Sequence, residues 1–192
     1  ILQEIKNEVS CKVREQYEQN PYPRWVNLQL PPVPKHISVI TKELNLRISN
    51  LGIDNVVAPQ ILIAGCGTGE HSIISSFVIK NCDILAIDLS LSSVAYAKRK
   101  TEELGISNIE YMQADILDLL SLDRKFDIIE SGGVLHHMDD PMAGWKVLTD
   151  CLNTGGFMRI GLYSESARKH IVQIRDEIEQ SNIESSHDAM KS

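Results

Sequence analysis

The sequence predicts an α/β protein: a doubly wound parallel sheet preceded by a helical arm rich in proline and aromatic residues. Three observations carry this. Short apolar runs around Ile61, Ile84, Ile109, Ile128 and Phe157 alternate with helical stretches of about 10 to 15 residues. The first run stops at three glycines spaced two apart, Gly65, Gly67 and Gly69, which reads as strand, tight loop and a helix opening near Glu70. The second run ends in an acid, Asp88.

Composition bounds the rest. The 192 residues, 43% hydrophobic and 23% charged, suffice for one domain with a real core. Lys and Arg number 19 against 26 Asp and Glu, so the net charge is −7, a poor match for nucleic acid or an anionic membrane surface. No apolar run approaches the ~20 residues of a membrane-spanning helix, and no signal peptide is visible. Cys11, Cys66, Cys82 and Cys151 show no C-x-x-C spacing and read as reduced thiols of a cytoplasmic protein. The chain opens on Ile1 already in a helical pattern and closes on a polar stretch, so it reads as a piece of a longer protein.

Taken in order, Leu2–Gln19 is charged and helix-prone, with Ile5, Val9, Val13 and Tyr17 on one stripe. Pro21 ends it. Tyr17–Trp25 holds three aromatics, two prolines and an arginine in nine residues. Such a segment is either an arm packed on the domain surface or a lid over a ligand site. Leu28–Pro34 reads as extended, Ser38–Leu51 as a helix and Asn55–Pro59 as a turn. Residues 1–55 therefore form an arm, and 56–180 the sheet domain. Within the domain, His71–Ile79 is the first helix and Cys82–Asp88 the second strand. Asp88 or Ser90 caps the helix Leu91–Leu104. Asn108–Gln113 and Phe126–Ser131 are the third and fourth strands. Pro141 opens a helix reaching about Leu152, Gly155–Tyr163 is the fifth strand, and Ser166–Gln180 is the last helix. Residues 181–192 form a polar tail.

The glycine loop suggests its own chemistry. Glycine lets a backbone turn sharply and approach a ligand, because it has no Cβ. A helix opening behind the loop offers unpaired N–H groups and the positive end of its dipole. A nucleotide or a carboxylate-bearing cofactor suits that arrangement. The spacing is G-x-G-x-G, not the G-x-G-x-x-G of dinucleotide enzymes. Together with Asp88, it resembles motif I of the class I S-adenosylmethionine-dependent methyltransferases, and the resemblance extends over about Ile61–Tyr163. The Rossmann-like methyltransferase fold it implies normally adds an antiparallel hairpin beside the fifth strand. The tail after Gln180 is too polar for one, so we expect a missing hairpin, an open fifth edge and scope for self-association there. The Tyr17–Trp25 stretch is also similar to one that precedes the methyltransferase domain in proteins carrying tetratricopeptide (TPR) repeats. That similarity implies such repeats upstream.

The resemblance implies S-adenosyl-L-methionine as the cofactor. Gly65, Cys66, Gly67 and Gly69 would lie under its methionine portion and ribose, with Cys66 there for packing. Asp88, 19 residues beyond Gly69, would accept both ribose hydroxyls, or else cap the next helix. Asp115 would accept from the adenine amino group, with the Ile116 N–H also facing the ring, or else serve as a turn residue. Many members carry an acid two positions before the first glycine. Here that residue is Ile63, which leaves His71 or Glu130 to substitute. Glu130 would meet the donor's ammonium group. His136 and His137 resemble the Leu-His-His of many small-molecule methyltransferases. A histidine there would deprotonate an acceptor hydroxyl or amine, unless one ring packs and the other caps the loop. No zinc-ligand set stands out.

The Asn- or Asp-Pro-Pro-aromatic motif of base and amide methyltransferases is absent after the fourth strand, where the chain has Glu130-Ser131-Gly132-Gly133. The sequence thus points to methyl transfer onto an unidentified small-molecule or protein acceptor. The alternative is a cofactor-binding or non-catalytic scaffold module of a larger repeat-containing protein. The glycine spacing speaks against a nicotinamide-dependent dehydrogenase.

Overall fold

The computed structural model describes residues 1–31, 33–46, 52–164 and 166–180. Strands β1 (Gln60–Ala64), β2 (Asp83–Asp88), β3 (Ile109–Gln113), β4 (Phe126–Gly132) and β5 (Leu152–Gly161) form one parallel sheet in the order β3-β2-β1-β4-β5. The strand order reverses between β1 and β4, and ligands of such sheets bind beyond the carboxyl ends at that switch point.

Both faces of the sheet are covered, which is why the strands read as nearly unbroken Ile and Leu. Leu62, Ala64, Leu85, Ile87 and Ile129 point to one side and pack with Phe126, Leu135 and Leu148. Their neighbours Ile61, Ile63, Ile84, Ala86 and Ile128 point to the other, against Ile37, Ile53 and Ile79. Burying each of the leucine, isoleucine and phenylalanine side chains is worth about 1.5–3 kcal/mol.

The helices are α1 (Glu8–Gln19), α2 (Ile37–Glu43), α3 (Glu70–Val78), α4 (Leu91–Glu103), α5 (Pro141–Asp150) and α6 (Lys169–Gln180). Local chemistry sets several ends. Asn7 Oδ1 accepts from Ser10 N and starts α1. Asp140 Oδ1 accepts from Met142 N and Ala143 N, with Pro141 at the first helical position of α5. Short 3-10 turns lie at Ile116–Leu122 and Leu135–His137.

Several boundaries differ from the sequence expectation. Helix α1 begins at Glu8 rather than Leu2, because Asn7 caps it there and Leu2 N donates to the Gln113 carbonyl at 3.0 Å. Ile5, assigned to the helical stripe, is buried outside the helix. Helix α2 stops at Glu43, and Asn45 turns the chain with φ +52°. The rest of the expected helix, 47–51, lies outside the described residues. Strand β5 starts at Leu152, since Leu152 pairs with Phe126 ahead of a register shift. The polar tail 181–192, and with it the question of the hairpin, also lies outside them. Among the described residues, β5 pairs with β4 alone.

The chain divides into two compact units, residues 1–161 and 162–192. In the second, α6 follows a short turn in which Ala167 N donates to Ser164 Oγ at 3.3 Å, and it exposes Ile171, Ile174 and Ile178. No helix among the described residues is long and apolar enough to cross a membrane.

Candidate functional site

The loop between β1 and α3 is shaped for close backbone approach. Gly67 and Gly69 hold φ values of +51° and +86°, which favour glycine. A β-carbon at Gly69 would lie 2.6 Å from that of Ala97 on α4, and one at Gly67 would collide with the Tyr22 carbonyl. The loop is tied to β2. Gly65 N and Cys66 N both donate to the Ile87 carbonyl at 2.8 Å, and Gly67 N donates to Asp88 Oδ2 at 2.8 Å. The second Asp88 oxygen accepts from Ser90 N at 2.9 Å. Burial pushes the Asp88 carboxyl up, and these N–H bonds pull it partly back. The α4 cap is Ser90, whose Oγ accepts from Ser93 N at 3.1 Å. Cap and loop anchor are therefore separate residues.

The end of β3 is held beside that of β2. Ala114 N donates to the Asp88 carbonyl at 3.1 Å, and Gln113 Nε2 donates to that of Leu89 at 2.9 Å. Asp115 follows and is buried. Its Oδ1 accepts from Leu117 N at 3.0 Å, so it caps the 3-10 turn that Ile116 opens.

Strand β4 brings Glu130 and, beyond it, the histidine turn. Glu130 Oε2 meets His71 Nε2 at 2.6 Å and Arg159 Nη1 at 3.0 Å. Burial raises this carboxyl, but His71 and Arg159 outweigh the effect and hold it below the usual range. Past Glu130, a β-carbon on Gly132 or Gly133 would meet nothing within 4 Å, so the backbone there is open. The His136 and His137 rings tilt together with centroids 4.3 Å apart. His137 Nε2 lies 3.4 Å from Tyr17 Oη, and the two rings meet edge to face at 6.1 Å. Burial lowers the His137 pKa, which favours the neutral imidazole.

The N-terminal arm crosses this loop. Thr68 N donates to the Tyr22 carbonyl at 3.1 Å. Thr68 Oγ1 donates to the Pro23 carbonyl at 2.6 Å and accepts from Trp25 Nε1 at 3.0 Å. Tyr96 Oη donates to the Trp25 carbonyl at 2.6 Å. Glu18 accepts from Leu91 N and Ser92 N at the start of α4, an anion where the helix dipole favours one. Sequence reasoning singled out the segment but not its contacts, which are Thr68, the start of α4 and His137. The hydroxyl of Thr68, set between two loop glycines, was the available signal.

A family model described as "Methyltransferase domain" matches residues 58–191. The chain belongs to this family. An "uncharacterized protein" of Synechococcus sp. is 36% identical over 121 residues, covering 62% of this chain and 29% of that protein. The demethylmenaquinone methyltransferase of Bacillus cytotoxicus is 29% identical over 92 residues, 47% of this chain and 39% of the relative. The chain thus spans under two fifths of the length of either. Among solved structures, the N-methyltransferase NodS of Bradyrhizobium japonicum, in complex with S-adenosyl-L-homocysteine, superposes with a TM-score of 0.57. The match covers 86% of this chain and 79% of that one at 19% identity, a likeness of fold.

The cofactor of this methyltransferase domain is S-adenosyl-L-methionine, and the residues present fit it. Asp88 keeps lone pairs beyond its two N–H bonds, as a ribose-binding carboxylate requires. The open backbone at Gly132 and Gly133 leaves room at the switch point. Among the described residues no cluster of His, Cys, Asp and Glu could hold a metal ion.

Proposed function

We propose that this methyltransferase domain transfers the methyl group of S-adenosyl-L-methionine to a small-molecule or protein acceptor. When bound, the cofactor supplies an activated methyl group on sulfur. The chain's own residues bind, orient and exclude water. Gly65, Cys66, Gly67 and Gly69 support the donor from below, and Asp88 takes its ribose hydroxyls. Asp115 and the Ile116 N–H read the adenine, and Glu130 receives the ammonium group. His137, kept neutral by burial, takes a proton from an acceptor hydroxyl or amine onto its imidazole, with His136 packed against it. Residues 1–55 act as a wall over the sheet domain 56–180. The Tyr17–Trp25 arm supports the further reading of a longer, cytoplasmic protein with TPR repeats upstream. The β5 edge, unpaired among the described residues, supports self-association there.

The observation that carries this reading is the bond from Gly67 N to Asp88 Oδ2, which joins the glycine loop to the acid at the end of β2. The scaffold alternative draws on the missing acid at Ile63 and on the missing C-terminal hairpin; Glu130 lies beside Ile63 in the sheet register, and the hairpin region lies outside the described residues. Calorimetry with S-adenosylmethionine, S-adenosylhomocysteine and NAD tests the reading. Micromolar binding of the first two is expected. Binding of NAD alone would sink it.

A further inference from the structure

Tyr17 is tied at both ends. Its carbonyl accepts from Ser90 Oγ at 3.2 Å, beyond the carboxyl end of β2. Its hydroxyl lies 3.4 Å from His137 Nε2, beyond the carboxyl end of β4. In the sheet order, β1 with its glycine loop stands between those two strands. One arm residue therefore crosses the switch point, where ligands of such sheets bind. Tyr17 precedes the stretch that the family model matches, residues 58–191, so the crossing is added to the shared core from outside it.

The two ends are held unequally. The backbone is fixed by the Ser90 bond, by the Glu18 carboxylate on Leu91 N and Ser92 N, and by Ser92 Oγ, which donates to the Glu18 carbonyl at 3.0 Å. Further along, Thr68 holds the Tyr22 and Pro23 carbonyls and the Trp25 indole. The contact with His137 is longer than any of these, and a hydrogen bond weakens as it lengthens. The Tyr17 side chain is half-buried. A change of rotamer lifts it from His137 and leaves the backbone bonds of the arm intact.

What Tyr17 presents to His137 is an aromatic hydroxyl, with Oη against Nε2 and the ring edge to face. A neutral imidazole serves a hydroxyl as donor or as acceptor. The burial that keeps His137 neutral penalises an ammonium group in the same place. A molecule reaching His137 Nε2 must displace the Tyr17 hydroxyl, and one that returns both the hydrogen bond and the aromatic contact does so at least cost. We propose that Tyr17 is a specificity gate supplied by the arm: its side chain stands where the methyl acceptor seats against His137, and the acceptor that replaces it is a phenol-type aromatic hydroxyl. The proposal names the acceptor class for the methyl-transfer reading above and rests on that reading.

The test is an NMR titration of the 192-residue chain saturated with S-adenosylhomocysteine, with His137 resonances assigned by their loss in His137→Gln and folding verified by melting curves. The probes are p-cresol, toluene (the same ring without the hydroxyl) and benzylamine (an ammonium at neutral pH). We expect p-cresol to shift the His137 resonances and to break the Overhauser contact between the Tyr17 and His137 rings. Toluene and benzylamine should bind at least about fivefold more weakly. Tyr17→Ala removes the competing side chain and should tighten p-cresol by about tenfold, because a closed gate lowers apparent affinity by the fraction that is open. Tyr17→Phe, which keeps the ring and loses only the hydroxyl, should tighten it by about threefold. Simple filling of a cavity would admit toluene as readily as p-cresol, and equal binding of the two overturns the proposal. So does p-cresol that leaves His137 unmoved, benzylamine binding more tightly than p-cresol, or weaker p-cresol binding in both Tyr17 variants. Any of these in a chain that binds S-adenosylhomocysteine sinks the gate alone. If the unaltered chain fails to bind S-adenosylhomocysteine, the cofactor reading falls, and the proposal with it.

Discussion

Asp88 accepts the Gly67 N–H at 2.8 Å, so the acid closing β2 and the middle of the glycine loop form one hydrogen-bonded unit. Asp88→Ala removes both that anchor and the acceptor proposed for the ribose hydroxyls. Two hydrogen bonds to a charged group, at about 1.5 kcal/mol each, amount to about a hundredfold in affinity. Titration of S-adenosylhomocysteine into the variant should show that loss. A change under about threefold would mean that Asp88 serves the loop alone.

Thr68→Val keeps the shape of the side chain and removes the hydroxyl shared by Pro23 and Trp25. Two hydrogen bonds at about 1 kcal/mol each, with about 2–4 °C per kcal/mol for a chain of this size, give a fall in Tm of about 4–8 °C. Trypsin should also cut faster after Arg24, between those two partners. An unchanged melting curve with Arg24 still protected would show that the arm is held by other contacts.

The Glu130 carboxyl lies below its ordinary value of 4.5 in the folded chain, because His71 and Arg159 overcome its burial. A folded pKa below the unfolded one means stability that is present above about pH 4.5 and is lost as pH falls through the folded value. Glu130→Gln has no such titration. The stability difference between the two proteins, followed by melting from neutral pH downward, should shrink as the solution is acidified. A difference independent of pH would contradict the pairing.

His137 has its pKa lowered by burial, and Tyr17 supplies part of the cover. Tyr17→Ala opens the ring to water and should move the pKa back up toward 6.5. Histidine resonances followed by NMR titration report this directly. No movement would locate the burial elsewhere.

Much of this architecture was legible in the chain, for physical reasons. Strands buried on both faces must read as apolar runs, so Ile61–Ala64 and Ile84–Ile87 declared themselves. Glycines forced by left-handed φ and close approach marked the loop, and Asp88 showed itself as the acid that closes a strand beside it. What escaped depends on tertiary contact. The early stop of α2 turns on Asn45, whose left-handed conformation the helical periodicity does not reveal. Tyr17 meets His137 across 120 residues, and Glu18 meets Ser92 across 74. Nothing local in Ile63 announces that Glu130 lies beside it on β4, because strand register is a property of the sheet.

The Thr68 hydroxyl gives a proton to a backbone carbonyl of the arm and takes one from the Trp25 indole, so the hydroxyl and the indole depend on each other. Descendants of this chain should therefore inherit the two segments as a pair. A lineage that sheds the proline–tryptophan arm is released from keeping a hydroxyl at position 68 and is free to let alanine or valine drift in. One that retains the arm is confined to threonine or serine. The family's shared core, matched from residue 58 onward, carries one half of this bargain, and the other half is written over thirty residues upstream of it.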